Sequence, residues 1–170
     1  MARLKLESAL RKAVEEREFQ VYFQPVVDLK TARLTGLEAL VRWDHPERGL
    51  LLPQDFLSVA EEAAYLVAID RLVMASACTH MRRWIDQDPS LAEITVSVNF
   101  CSRQFSEPDV VDFVSQTLAT TGLRPRNLCI EITEGALMED DEKTQSLSCS
   151  SCRPWGCACS STTSGPDTPP

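Results

Sequence analysis

The feature that most constrains the fold is the alternation of short apolar segments with helix-like segments along most of the chain. Segments at residues 19–27 and 34–43 are rich in Val, Leu, Phe and Tyr, and the polar residues 28–33 separate them, which predicts a strand pair. Further apolar segments at residues 94–99 and 128–132 each follow a helical pattern. Because strands that alternate with helices usually pair in parallel, the sequence predicts an α/β fold.

The helical segments are marked by apolar spacing and by cap residues. The first helix opens the chain, and its apolar stripe is made of Leu6, Ala9, Leu10, Ala13 and Val14. A second helical region is predicted at residues 53–86 with a break near Ala64. A third helix begins at an N-cap signature of Ser106 followed by Asp109, and Gly122 suits its C-terminal end.

The net charge argues against a nucleic-acid duplex as a partner, and the length of the apolar runs argues against a membrane-spanning segment. The chain has 25 acidic and 17 basic side chains and a net charge of -8, which argues against a surface that follows a DNA or RNA duplex. Apolar runs such as residues 65–69 are far shorter than the roughly 20 residues that cross a bilayer, so no membrane segment is predicted. We therefore expect a soluble, cytoplasmic protein.

Polar side chains stand at or just after the ends of three predicted strands: Glu38, Asn99, Glu131 and Glu134. Ligands of parallel α/β folds bind at that edge of the sheet. A carboxylate within an apolar strand is costly unless it is paired or binds a cation, although a salt bridge or a surface-facing position would also satisfy it. Carboxylate and amide oxygens suit Mg²⁺ or Mn²⁺ better than Zn²⁺, and neither of the two histidines is expected to be a ligand.

Six short motifs follow one another in a fixed order through these segments. They are F-Q-P-V-V-D-L at residues 23–29, E-A-L-V-R-W at 38–43, H-P-E-R-G at 45–49, P-Q-D-F at 53–56, V-N-F-C-S-R-Q-F at 98–105 and E-I-T-E at 131–134. In this order the motifs resemble those of the EAL domain family. The resemblance covers about residues 4–145, which correspond to somewhat more than the first half of a complete family domain.

This resemblance implies a fold, an activity and a set of site residues. The fold is a TIM-like (β/α)8 barrel with one strand reversed, here incomplete, with only its first strands and helices. The activity is hydrolysis of the bacterial second messenger cyclic-di-GMP to linear pGpG with Mg²⁺ or Mn²⁺, and a homodimer of the intact domain stays open. The implied metal ligands are Glu38, Asn99 and Glu131, and the two glutamates among them are also implied to be catalytic. Gln24 and Arg42 are implied to contact the dinucleotide. Glu134 is implied to anchor a loop near the metals.

The last 25 residues depart from the family pattern. Ser, Cys, Thr, Pro and Gly dominate residues 146–170, so we expect a disordered tail outside the family domain. Codons for the residues from Trp155 onward, read one base out of frame, permit G-V-R-L-L-L-D-D-F-G-T-G-Y-S-S, which contains the aspartate motif that the family places next. We infer a base insertion or deletion near residues 145–148, and this explains the four cysteines of residues 149–159 without a metal site.

Because of this tail, the family to which the domain belongs and the activity of this particular chain are two separate questions. A chain that ends its family pattern near residue 145 would supply only about half of the family's ligand set, so we expect it to be inactive. Two alternatives stay open. The first is a degenerate EAL domain that binds a nucleotide or a protein partner without catalysis, and the second is an unfolded product.

Overall fold

The computed structural model of the protein describes residues 2–133 and 158–162. The helices are α1 (Ala2–Glu16), α2 (Pro53–Glu62), α3 (Leu66–Gln87), α4 (Ser102–Ser106) and α5 (Val110–Thr121), with 3-10 turns at Pro89–Glu93 and Pro125–Asn127. The strands are β1 (Phe19–Val27), β2 (Leu34–His45), β3 (Gly49–Leu51), β4 (Thr95–Phe100), β5 (Leu128–Thr133) and β6 (Ala158–Thr162). No helix in these two ranges combines the length and the apolar character that crossing a membrane requires.

The strands form one mixed sheet in the order β1-β2-β4-β5-β6, and β3 pairs with the far end of β2. Strand β1 runs antiparallel to β2, whereas β2, β4, β5 and β6 are parallel to one another. The α/β prediction is therefore confirmed, together with one reversed strand at the start of the sheet. An open sheet of this order corresponds to part of a barrel.

The helices cover one face of the sheet. Helix α3 packs against β1, β2 and β4, and the strand residues that face it are apolar. In β4, for example, Val96, Val98 and Phe100 are buried while the alternate residues remain partly accessible. Successive residues of a strand point to opposite faces of the sheet. The residues before and after each buried strand residue therefore lie on the other face, which no described helix covers. We call this the inner face.

Strands β2 and β4 approach each other closely at Gly36, which is the register partner of Thr95. A Cβ atom at Gly36 would lie 3.1 Å from Thr95 Oγ1 and 3.2 Å from the Thr95 carbonyl oxygen. The second contact involves backbone, which cannot rotate away as a side chain can. Any side chain here would push the two strands apart by a few tenths of an ångström, so the close approach favours glycine.

The predicted helix start at Ser106 is wrong. Ser106 is the last residue of α4, and Asp109 is the N-cap of α5. A helix through this point is disfavoured because Pro108 restricts Glu107 to extended conformations. The predicted break near Ala64 is confirmed by its left-handed φ of 60°, and the predicted end at Gly122 is confirmed by a φ of 70°.

Two strands lie where the sequence predicted none. Strand β3 occupies three residues between the second predicted strand and the second predicted helix, and β6 lies within residues 146–170, for which no packed structure was predicted. That prediction does not hold for the five residues of β6, since they pair in parallel with β5. The free edge of β5 offers unpaired backbone groups that a short segment without proline can bind. All other residues from 146 onward lie outside the described residues.

Candidate functional site

The candidate site lies on the inner face of the sheet. Ala39 in β2, Val98 in β4 and Ile130 in β5 are all buried on the helix-covered face. The residues next to them in sequence, Glu38, Asn99 and Glu131, therefore lie on the inner face, on three consecutive strands. The alternation of buried and accessible residues thus puts two carboxylates and one amide on the same side.

Backbone register brings these three residues together. Asn99 Nδ2 donates a hydrogen bond to Glu38 Oε1 at 3.1 Å, although 61 positions separate the two residues in sequence. Asn99 and Glu131 are register partners in the parallel pair β4 and β5. Neighbouring strands lie about 4.8 Å apart, so Asn99 stands between the two carboxylates. The geometry joins residues from three separate motifs.

The two candidate dinucleotide contacts lie on the same face. Gln24 is the register partner of Glu38 across the antiparallel pair β1 and β2. Arg42 follows Glu38 by four positions on β2, and its Cζ lies 5.6 Å from the centroid of the Tyr22 ring. Arg42 Nη1 donates to the Val41 carbonyl oxygen at 2.8 Å, so one of the five guanidinium N–H groups is engaged in this bond.

The side chains on the inner face fit a hard divalent cation in chemistry but supply a small ligand set. Asn99 uses its Nδ2 group for Glu38, which leaves Oδ1 as the metal-binding atom of the amide. Mg²⁺ prefers six oxygen ligands and keeps several waters, so two carboxylates and one amide could form the protein part of such a shell. In residues 2–133 and 158–162, no three His, Cys, Asp or Glu side chains cluster as a metal site. Glu134, the predicted loop anchor, lies outside the described residues.

One residue near the site was missed by the sequence analysis. Asp70 in α3 accepts a hydrogen bond from the backbone N–H of Cys101 at 2.8 Å, two residues after Asn99. Burial raises the pKa of Asp70 to about 6, while the hydrogen bonds from Cys101 lower it in part. Burial, followed by the nearby Asp70 charge, raises the pKa of the Cys101 thiol to about 12. The thiol therefore remains protonated at neutral pH and is a poor nucleophile.

A sequence signal for Asp70 did exist. Val73, Met74 and Ala77 are buried on α3, and Asp70 precedes them by three, four and seven positions. That spacing puts its carboxylate on the buried stripe of the helix. An acidic residue within such a stripe needs a hydrogen-bond donor, but the sequence does not identify the donor as Cys101.

Comparison with known proteins identifies the family to which the chain is similar. The EAL domain family matches residues 7–165, which extends past residue 145, where the family pattern was expected to end. The chain is 35% identical over 150 residues to the uncharacterized protein sll1895 of Synechocystis sp.. It is 37% identical over 137 residues to the bifunctional diguanylate cyclase/cyclic di-GMP phosphodiesterase MucR of Pseudomonas aeruginosa.

Solved structures give the same result for the fold. The phosphodiesterase PaMucR in its c-di-GMP complex matches with a TM-score of 0.83 and 32% identity, over 91% of this chain and 62% of that one. The EAL enzyme Bd1971, bound to cAMP and cyclic-di-GMP, matches with a TM-score of 0.82 and 28% identity, over 94% of this chain and 44% of that one.

Coverage is unequal between the chain and its relatives. The matches cover 86% and 81% of this chain but only 21% and 20% of the lengths of sll1895 and MucR. The chain thus spans about a fifth of these relatives. Within that span, the family match and the similarity of fold agree, and the chain belongs to the EAL domain family.

Proposed function

We propose that this chain is the front part of a cyclic-di-GMP phosphodiesterase domain that hydrolyses cyclic-di-GMP to pGpG in cytoplasmic signal transduction. The observation that carries the proposal is the contact between Glu38 and Asn99, with Glu131 on the next strand, on the inner face of an EAL fold. The relative MucR is named for cyclic di-GMP phosphodiesterase activity, and PaMucR was solved with c-di-GMP. A homodimer is proposed for the intact domain only.

In this proposal, Glu38, Asn99 Oδ1 and Glu131 hold a divalent cation, Mg²⁺ or Mn²⁺. Such a cation, when bound, lowers the pKa of water and neutralises phosphoryl oxygens. Glu38 and Glu131 supply the negative charge that retains the cation, and the amide supplies a neutral oxygen between them. The hydrogen bond from Asn99 to Glu38 orients both groups before a ligand arrives.

Gln24 and Arg42 bind the dinucleotide. Arg42 has a planar fork of N–H groups that can grip a phosphate with two parallel hydrogen bonds. Gln24 lies beside Glu38 across the strand pair, where its amide can both donate to and accept from a nucleotide.

Hydrolysis adds a water oxygen to one phosphorus and breaks the bond from that phosphorus to a 3′ oxygen, which takes up a proton. The product is one linear pGpG.

We further propose that the 170-residue chain alone does not turn over cyclic-di-GMP. Phosphodiester cleavage requires a rigidly held cation, and the aspartate motif that the family adds is present only in the shifted reading of the tail. Restoring the frame after Thr144 should therefore restore hydrolysis. Sequencing of the DNA across codons 140–170 tests the frame change directly, because its shifted frame must encode the aspartates.

The assay compares the 170-residue chain with the frame-restored chain, each with Mn²⁺ and cyclic-di-GMP, and measures pGpG by chromatography. We expect product from the restored chain only, and we expect Glu38→Ala in that chain to abolish it. Glu47→Ala, in the turn between β2 and β3, is the matched control and should retain turnover.

Three outcomes would contradict parts of the proposal. Turnover by the 170-residue chain that disappears in Glu38→Ala would show that the front part suffices. A restored chain that binds cyclic-di-GMP without hydrolysing it would favour the degenerate, non-catalytic alternative. A restored chain that neither binds nor hydrolyses the dinucleotide would refute the substrate.

A further inference from the structure

Two adjacent residues of α3 hold both ends of the segment that follows β4. Asp70 Oδ2 accepts the backbone N–H of Cys101 at 2.8 Å. Arg71 donates to Asp109 twice, from Nη1 to Oδ2 at 2.9 Å and from Nη2 to Oδ1 at 2.6 Å. We call the chain between these contacts the 101–109 segment. It contains α4 and ends where α5 begins.

The first contact acts close to the candidate metal ligand. Cys101 is the N-cap of α4 and stands two residues after Asn99, with the buried Phe100 between them. A hydrogen bond to the Cys101 N–H fixes the peptide plane between Phe100 and Cys101. This constraint limits rotation of the backbone where β4 ends and the chain turns into α4. The direction of the Asn99 side chain depends on that backbone.

The second contact closes the other end of the segment. A bidentate pair between a guanidinium and a carboxylate is charge-assisted and fixes geometry more strongly than a single hydrogen bond. The Cζ atom of Arg71 also lies 4.9 Å from the centroid of the Phe113 ring in α5. The Arg71 side chain thus connects α3 to both the cap and the first turns of α5.

The segment contains a destabilising feature that the contacts oppose. Gln104 is completely buried, and in the described part of the chain neither its Nε2 nor its Oε1 has a hydrogen-bond partner. An unsatisfied buried polar group costs about 1–3 kcal/mol, which favours conformations that expose this side chain to water. The contacts of Asp70 and Arg71 act in the opposite direction.

We propose that Asp70 and Arg71 are positioning residues, which hold the 101–109 segment on α3 so that Asn99 keeps its amide aligned with Glu38. This inference deepens the proposed function and rests on it for the role of Asn99 as a metal ligand. Asp70 touches neither the cation nor the dinucleotide in this scheme. It acts through the backbone of Cys101.

The test uses the 170-residue chain and two readouts. The first is the position of the Asn99 side-chain amide signals in ¹⁵N-edited NMR spectra, with Glu38→Ala as the reference for a broken Asn99–Glu38 bond. The second is Mn²⁺ affinity, followed by electron paramagnetic resonance. Asp70→Ala should move the Asn99 signals toward their Glu38→Ala positions and weaken Mn²⁺ binding roughly tenfold, as loss of an outer-shell partner does.

Conservative and matched variants separate positioning from general destabilisation. Asp70→Asn keeps an acceptor oxygen for the Cys101 N–H and should restore both readouts to nearly their wild-type values. Asp86→Ala removes another acidic side chain of α3, one that pairs with Arg82 on the exposed surface, and should change neither readout. Asp109→Ala, at a position whose side chain is 55% exposed, tests the second contact if Asp70→Ala does not fold.

The outcomes distinguish this inference from the proposed function. Asn99 signals that remain at wild-type positions in folded Asp70→Ala, or in Asp109→Ala if the former does not fold, would overturn the inference. Mn²⁺ binding that is absent, or is unaffected by Glu38→Ala, would instead refute the proposed metal site. In that case the NMR signals still decide whether Asp70 positions Asn99.

Discussion

Replacing Asp70 by asparagine should change how the stability of the protein depends on pH. Burial raises the pKa of Asp70 from 3.8 to about 6. Because the folded protein then holds this proton more tightly than the unfolded chain, the carboxyl contributes stability that is fully present below pH 3.8. That contribution is lost as the pH rises through about 6. The side chain of asparagine stays neutral and has no such dependence.

The expected size follows from the difference between the two pKa values. A pKa difference of 1 corresponds to about 1.36 kcal/mol of free energy. The rise in the pKa of Asp70 from 3.8 to about 6 therefore gives an upper value of about 3 kcal/mol for the change in the free energy of unfolding. Partial access of solvent to the side chain reduces it to about 1–3 kcal/mol. The free energy of unfolding of Asp70→Asn minus that of the wild type should increase by this amount between about pH 4 and pH 7.5.

Urea unfolding at a series of pH values measures this difference, and the slope of each transition checks that both proteins unfold in the same manner. Asp28→Asn is the matched control, since hydrogen bonds from Thr31 lower the pKa of Asp28. Stability from Asp28 is lost only as the pH falls below about 3.8, so its difference from the wild type should stay nearly constant between about pH 4 and pH 7.5. A free energy difference for Asp70→Asn that does not vary with pH would refute the reasoning.

Three further predictions concern packing and binding. Gly36→Ala should lower the free energy of unfolding in urea by about 1–3 kcal/mol, because its Cβ meets the Thr95 backbone; an unchanged transition midpoint would contradict the close approach. Glu18→Ala should lower the free energy of unfolding by about 1–3 kcal/mol in the same assay, because the buried Trp43 Nε1–H then lacks the acceptor that lies 2.9 Å away. Glu18→Gln keeps an acceptor oxygen and should recover most of this free energy. In the frame-restored chain, Arg42→Lys should weaken cyclic-di-GMP binding, measured by calorimetry, roughly tenfold because lysine lacks the bidentate fork; equal affinity would argue against a phosphate contact.

Much of the fold could be predicted because local patterns agreed with the tertiary environment. Strand β1 has the bounds that its Val, Phe and Tyr content and the flanking polar turn predicted, and α1 follows its apolar stripe. The start of α5 could not be found in this way. Ser106 carries a good cap signature, but Pro108 and the Arg71–Asp109 pair determine where the helix begins.

The candidate site shows the same division. Glu38, Asn99 and Glu131 could be selected because polar groups within apolar strands require a partner, and parallel strands bring their ends together. Asp70 could not be assigned, since its role depends on a backbone N–H 31 positions later in the chain. Periodicity locates its carboxylate on a buried stripe, but only the tertiary structure supplies the donor.

The parallel pairing of β2 with β4 has a consequence during synthesis on the ribosome. Strand β1 can pair with β2 as soon as both have emerged, because only a short turn connects them. At residues 36–39 the opposite edge of β2 must wait for β4. Between His45 and Phe100 the ribosome adds about 55 residues, which takes roughly 3–11 s. During this interval the nascent hairpin exposes Val41 and Trp43, which pack into the core that the later helices complete, with Trp43 against Phe56 of α2. The nascent chain should therefore be a substrate for ribosome-associated chaperones until α3 has been made.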